Sequence, residues 1–202
     1  GKTLLVRALA KTFEGHFARI QFTPDLMPSD VTGHALYDLK SEQFRIRRGP
    51  VFTNLLLADE INRAPAKTQA ALLEVMQEYQ VTIEGQALPL APPFMTLATQ
   101  NPLEQEGTYP LPEAQLDRFL FRIKVNYPEL HNEVNILKRF QTDFNQKETQ
   151  KVNVVIEPAE VQKCFKIIEK IHIKDELLNY IANIVHQTRS NGNLYMGASP
   201  RA

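Results

Sequence analysis

Two neighbouring carboxylates, Asp59 and Glu60, close a short apolar run, Leu55-Leu56-Leu57-Ala58. The run is too short for a helix and dense enough for a strand buried on both faces. In a parallel α/β sheet, ligands bind outside the carboxyl ends of the strands, so both acids would face one. One acid can hold a hydrated Mg²⁺ while the next orients or polarises a water. The same pattern also fits a strand ending in a solvated acidic turn. A second chemical group stands at the start of the sequence. Gly1-Lys2-Thr3 is the tail of G-x-x-x-x-G-K-[ST]. In that pattern backbone N–H groups cradle phosphates, the lysine reaches the β- and γ-phosphates, and the hydroxyl binds Mg²⁺. A tripeptide alone is weak evidence, and its weight comes from what surrounds it.

Those surroundings are alternating strands and helices. Lys2 to Glu14 carries Leu4, Leu5, Ala8, Leu9 and Phe13 at helical spacing, with Gly15 as its stop. Phe17 to Phe22 reads as a strand. Thr23-Pro24-Asp25 and Pro28-Ser29-Asp30 break the pattern into a loop with short helical turns at most. Tyr37 to Arg48 is polar, with Arg45, Arg47 and Arg48 close together, and Gly49-Pro50 is a turn. After the acid pair, Pro65 sits in the first turn of a helix that presents Ala70, Ala71, Leu72, Val75 and Met76 to the sheet. Val81 to Leu88 alternates around Glu84-Gly85, a small hairpin. Phe94 to Thr99 is another buried strand, Pro112 opens a short helix, and Leu120 to Val125 is a last strand. The alternation predicts a parallel sheet covered on both faces. The order, a GKT turn at a helix start and then an acid pair after another strand, is that of a P-loop nucleotide hydrolase.

From Tyr127-Pro128 onward only helices are expected: Glu129 to Gln141, Pro158 to Ile171 and Asp175 to Ser190, with a polar linker from Thr142 to Lys151. A domain boundary is placed near 126–128, giving a nucleotide-binding core over 1–127 and a small helical lid over 128–202. The first strand of the sheet and the glycine-rich start of the phosphate loop would lie upstream of Gly1. The chain therefore reads as part of a longer protein, and this stretch alone is expected to bind nucleotide weakly or not at all.

Composition narrows the function classes. The chain has 202 residues, 43% of them apolar, with 23 Lys and Arg balancing 23 Asp and Glu. A net charge of zero gives no global pull toward nucleic acid or anionic lipid. The single cysteine, Cys164, excludes an intrachain disulfide framework and suits a reducing, cytoplasmic setting; it is expected to be a small core residue. No stretch approaches the length of an apolar membrane span. The five histidines are scattered, so no zinc site is expected.

Longer blocks carry a family resemblance. RIQFTPDLMPSDVTG (19–33), GPVFTNLLLADEINRAPAKTQAALLEVMQE (49–78), TLATQNPLEQEGTYPLPEAQLDRFLF (96–121) and GASPRA (197–202) follow one another in order and cover the chain end to end. With these blocks the chain resembles MoxR-type AAA+ ATPases, in the clade that also holds magnesium-chelatase subunits and minichromosome-maintenance helicases. The resemblance implies ATP and Mg²⁺ as ligands. It assigns Gly1, Lys2 and Thr3 to the end of Walker A, Asp59 to the Walker B metal aspartate and Glu60 to the water-activating glutamate. It makes Asn101 the polar sensor 1 residue and Arg118 the arginine finger of the neighbouring site, with Arg122 as its rival. Arg201 becomes the sensor 2 arginine of the lid. It further implies a homo-oligomeric ring, a hexamer, that remodels a client protein, with a von Willebrand A-type partner in some relatives.

Three other readings compete. A DNA-translocating motor of the same clade would want basic residues on the hairpin before sensor 1, yet Val81 to Leu90 has none and carries Glu84. The Arg45-Arg47-Arg48 cluster keeps that reading open. A small-molecule kinase would not explain Arg118 together with Arg201 and a helical lid. A catalytically dead scaffold would not need Asp59, Glu60, Asn101 and Arg118.

Overall fold

The structure is a computed structural model that describes residues 2–101, 108–142 and 152–199. Gly1 and Arg201, together with most of the expected linker, lie outside the described residues.

The first half is α/β. Helix α1 (Lys2–Thr12) leads into strand β1 (Phe17–Gln21), helix α2 (Pro28–Thr32), and strands β2 (Gly33–Asp38), β3 (Gln43–Arg48) and β4 (Leu55–Asp59). A 3₁₀ turn (Ile61–Arg63) and helix α3 (Ala66–Glu78) follow, then β5 (Gln80–Ile83), β6 (Gln86–Pro89), β7 (Met95–Ala98) and a short helix α4 (Glu113–Leu116). Three of these strands form a parallel sheet in the order β1-β4-β7. Phe17 pairs with Leu55 and Gln21 with Asp59 on one side of β4; Leu55 pairs with Met95 and Ala58 with Ala98 on the other. As the central strand, β4 is covered on both faces, and all five of its residues are buried. That is why its sequence shows no polar alternation.

Leu56 and Ala58 share one core with Phe22, Val31, Val51, Ile61, Ala64, Leu72, Leu73 and Val75. α2 and α3 thus pack on the one face to which Leu56 and Ala58 point, while Leu55 and Leu57 are buried on the opposite side, where α1 meets β4. Pro65 stands at the N-cap of α3, one residue before the first helical turn. Burial of large aliphatic side chains of this kind contributes roughly 1.5–3 kcal/mol each.

Two hairpins project from this layer. β5 and β6 pair antiparallel around Glu84-Gly85, the expected hairpin, with Gly85 at φ +75°. β2 and β3 form a second one, from Gly33↔Arg48 to Asp38↔Gln43, in the stretch read from sequence only as polar. Its tip, residues 39–42, holds no glycine or proline; the turn is started instead by Asp38, whose Oδ1 accepts the Lys40 N–H at 2.9 Å. Its root explains two glycines. A Cβ on Gly33 would lie 2.3 Å from the Arg47 carbonyl oxygen, and one on Gly49 would lie 2.4 Å from that of Val31.

Two expectations fail. Leu120 to Val125 is not a strand: the segment is irregular, and Leu120 and Ile123 are 86% and 79% exposed. Among the described residues no strand lies beside it, so its backbone groups have no ladder to join. The sheet stops at β7, and a cavity of about 410 Å³ separates β7 from this segment, lined by Ala98, Thr99 and Gln100 on one side and Phe121, Ile123 and Val125 on the other. Cys164 is exposed on its helix rather than buried in a core.

The last part of the chain is helical: α5 (Leu130–Thr142), α6 (Pro158–Ile168) and α7 (Asp175–Ser190). Pro158 at the first turn and Glu160 at the third position begin α6, and Asp175 and Glu176 favour the start of α7 through the helix dipole. Each is amphipathic, and the apolar sides, including Leu177 and Ile181, remain exposed. This region is tied to the α/β layer at named points. Val155 N–H donates to the Thr12 carbonyl at 2.8 Å, and Glu14 N–H donates to the Ile156 carbonyl at 2.9 Å. Gln162 Nε2 donates to the Pro92 carbonyl at 2.8 Å. No described helix is long and apolar enough to cross a membrane.

Candidate functional site

The carboxyl end of β4 carries Asp59 and Glu60 side by side, and four other segments converge on them. From the start of α1, the Thr3 hydroxyl donates to Asp59 Oδ2 at 3.1 Å. The Lys2 ammonium reaches across the sheet end to the Gln100 carbonyl, 2.8 Å away. From the end of β7, Thr99 Oγ1 donates to Asp59 Oδ1 at 2.5 Å and accepts the Glu60 N–H at 2.9 Å. From β1, Arg19 places both Nε (3.0 Å) and Nη2 (2.7 Å) on Asp59 Oδ2. Gln21, two residues along the same strand face, donates from Nε2 to Glu60 Oε2 at 2.8 Å. Arg63, on the 3₁₀ turn, ion-pairs with the same Glu60 oxygen at 3.0 Å.

The two acids are held differently. The Asp59 side chain is 7% exposed. Burial, the largest single influence, pushes its carboxyl up. The hydrogen bonds from Thr99, Arg19 and Thr3, with the Arg19 charge, outweigh it and leave the group below the usual aspartate range. Glu60 is more open, and its backbone is in the left-handed region at φ 58°, ψ 48°. A non-glycine residue there is strained, and such strain concentrates at functional sites. The strain turns the chain sharply, so the Glu60 side chain leaves the strand end while Ile61 returns to the core with its N–H on the Thr99 carbonyl at 3.0 Å.

Asn101 lies just past β7 on the same end of the sheet, where its carbonyl accepts from Asn62 Nδ2 at 3.3 Å. Of the residues singled out from sequence, Lys2, Thr3, Asp59, Glu60 and Asn101 therefore gather at one sheet end. Arg118 does not join them. It follows α4 on the exposed surface and makes no ion pair among the described residues. Its neighbour Asp117 accepts from Ser199 Oγ at 3.0 Å. Arg122 lines the cavity that also contains Lys2, Thr99 and Gln100.

The sequence reading passed over Arg19, Gln21, Thr99 and Arg63. The signal for the first two was available. In a strand, residues two apart share a face, and a long basic side chain and an amide one pleat apart in FARIQF are out of place on a buried strand unless they meet partners. Their partners could not be named without the register Gln21↔Asp59. Gln69 was also missed. Almost fully buried in α3, its Nε2 lies 3.1, 3.1 and 2.9 Å from the carbonyl oxygens of Ile61, Ala64 and Tyr109. It ties the turn after the acid pair to the segment beyond Asn101.

Comparison with known proteins bears on the family and the fold. Residues 1–121 match the ATPase family associated with various cellular activities (AAA). An uncharacterised protein of Bacillus subtilis, YeaC, is 47% identical over 205 residues, which is 100% of this chain and 62% of that protein. A Mycobacterium tuberculosis protein named Chaperone MoxR1 is 45% identical over 210 residues, 100% of this chain and 54% of that one. A crystal structure from Cytophaga hutchinsonii, described as that of a candidate ATPase, superposes with a TM-score of 0.82 at 45% identity, covering 99% of this chain and 62% of the other. The chain thus spans between about half and two thirds of the length of these relatives.

Proposed function

Because the chain belongs to the ATPase family associated with various cellular activities, in its MoxR branch, we propose that its sheet end binds ATP and directs water onto the γ-phosphate, and that the protein uses this hydrolysis to remodel a client protein. The observation that carries the reading is the meeting of Thr3 and Asp59, 3.1 Å apart, beside Glu60 and under Lys2.

The donor set fits Mg²⁺. A hydroxyl and an ionised carboxylate are hard oxygen ligands, and Mg²⁺ takes one or two such groups and completes its shell with water and phosphate. Thr3 and Asp59 would hold it, and when bound it neutralises charge on the triphosphate. Lys2 binds the β- and γ-phosphates, with Gly1 beside it as part of the phosphate-binding turn. Glu60 orients the attacking water and draws on its proton. Asn101 positions that water or the γ-phosphate from the adjoining strand. Arg118 acts on the site of the next copy, which its exposure favours, whereas Arg122 faces the cavity beside this copy's own Lys2. Arg201 contacts the γ-phosphate from the lid over 128–202. A head-to-tail contact of this kind closes into a ring, a hexamer in this reading. A client, with or without a von Willebrand A-type partner, receives the movement in the cytoplasm.

The alternative of a DNA motor draws on Arg45, Arg47 and Arg48. Two of them are engaged within the chain: Arg45 pairs with Asp38 at 3.0 Å, and Arg48 lies 5.0 Å from the centre of the Phe52 ring. The β5–β6 hairpin carries no basic residue. Both facts favour a protein client, as does the relative named a chaperone.

The test is Glu60→Gln in the full-length protein. ATP binding should persist while hydrolysis falls by about 10²- to 10⁴-fold, the range for a lost general base. Unchanged turnover in that variant would overturn the assignment. The trapped ATP-bound form should also co-purify with the client.

A further inference from the structure

Asp59 already has a cation. The Arg19 guanidinium puts two N–H donors on Oδ2, the same oxygen that receives the Thr3 hydroxyl. We infer that Arg19 is a built-in counter-cation of the metal site, which occupies the Asp59 carboxylate and must leave it before a divalent cation binds. The inference rests on the reading that Asp59 and Thr3 hold Mg²⁺.

Three observations carry it. First, Oδ2 is crowded: it takes two N–H donors from Arg19 and the Thr3 hydroxyl, while Thr99 takes Oδ1. A hard cation can take the oxygen that Thr3 faces, Oδ2, only when the guanidinium withdraws from it. Second, the exposures decide which group moves. The Arg19 side chain is 45% exposed, while Asp59 is 7% exposed and pinned by Thr99. Arg19 can swing into solvent, and Asp59 cannot follow it. Third, the guanidinium has a second anchor. Nη2 also donates to Gln21 Oε1 at 2.5 Å, which keeps the displaced side chain at the rim of the site, ready to return. Two like charges on one carboxylate oxygen exclude each other, so guanidinium and metal compete. Arg19 would thereby weaken metal binding and keep the buried carboxylate paired whenever metal is absent, sparing the protein an uncompensated buried charge.

The experiment is a Mn²⁺ titration of the full-length protein carrying one equivalent of ADP, followed by the electron paramagnetic resonance signal of free Mn²⁺. Arg19→Met should bind Mn²⁺ about tenfold more tightly than wild type, the weight of one partly exposed charge-assisted pair. Arg19→Lys, which keeps the charge but loses the fork, should fall between the two. Asp59→Asn should bind Mn²⁺ much more weakly than wild type. If Asp59→Asn weakens binding but Arg19→Met leaves it unchanged or weaker, Arg19 is no competitor and the inference is wrong, while the metal-site reading stands. If Asp59→Asn binds like wild type, the metal lies elsewhere and both readings fall. Should Arg19→Met not fold, the wild-type protein decides. The Arg19 Nε–H resonance should move toward its solvent-exposed position when Mg²⁺ is added with ADP, and an unmoved resonance would refute displacement.

Discussion

Thr99 holds Asp59 and Glu60 with a single hydroxyl: its proton goes to Asp59 Oδ1 at 2.5 Å, and its oxygen takes the Glu60 N–H at 2.9 Å. The end of β7 therefore sets both the rotamer of one acid and the backbone of the other. Replacing the hydroxyl by a methyl of the same shape removes both bonds and leaves a charged and a neutral group short of a partner. Thr99→Val should lose about 1–3 kcal/mol in urea unfolding, whereas Thr99→Ser should retain most of that.

The Asp59 carboxyl is held below its ordinary range, which fixes the sign of its pH effect. A depressed acid stabilises the fold fully above its unfolded pKa and loses that contribution as pH falls through the folded one. The stability difference between wild type and Asp59→Asn should be flat from about pH 7 to about pH 5 and narrow below about pH 4. A gap that instead widens on acidification would contradict the environment described for Asp59. Arg19→Met should raise the Asp59 pKa, readable from its carboxyl carbon shift.

Gln69 joins three carbonyls that no other described side chain satisfies in the same way. Gln69→Leu keeps the volume of the side chain and removes its donors. Unfolding experiments should show a loss of about 1–3 kcal/mol with an unchanged denaturant slope. Because Gln69 pins the turn after Glu60 to Tyr109, the variant should also turn over ATP more slowly at full nucleotide occupancy.

The exposure of Arg118 predicts complementation between copies. Arg118→Ala alone should slow hydrolysis by at least about 10³-fold, the usual weight of an arginine finger. Mixing it with Glu60→Gln protein, itself inactive, should restore up to roughly a quarter of the wild-type rate, since that share of head-to-tail contacts joins an intact Glu60 to an intact Arg118. No recovery in mixed assemblies would place the arginine's action within its own copy, or nowhere.

What the sequence by itself determined is local and periodic. The run Leu55 to Ala58 ending in Asp59-Glu60 reads as a doubly covered strand, and it is the central one. The spacing in α1, α3 and α5 to α7 specified helices, because a 3.6-residue repeat of apolar side chains fits nothing else. The tertiary structure decided what depends on a neighbour. Leu120 to Val125 has the alternation of a strand and is not one, since a ladder needs a second chain segment beside it. The β2–β3 hairpin turns on Asp38 rather than on a glycine or proline, and only the register of its two edges shows it to be a hairpin. The partners of Asp59 were decided there too: Arg19 and Thr99 are 40 positions away from it in either direction, and only the parallel pairing of β1, β4 and β7 brings their donors to one carboxylate.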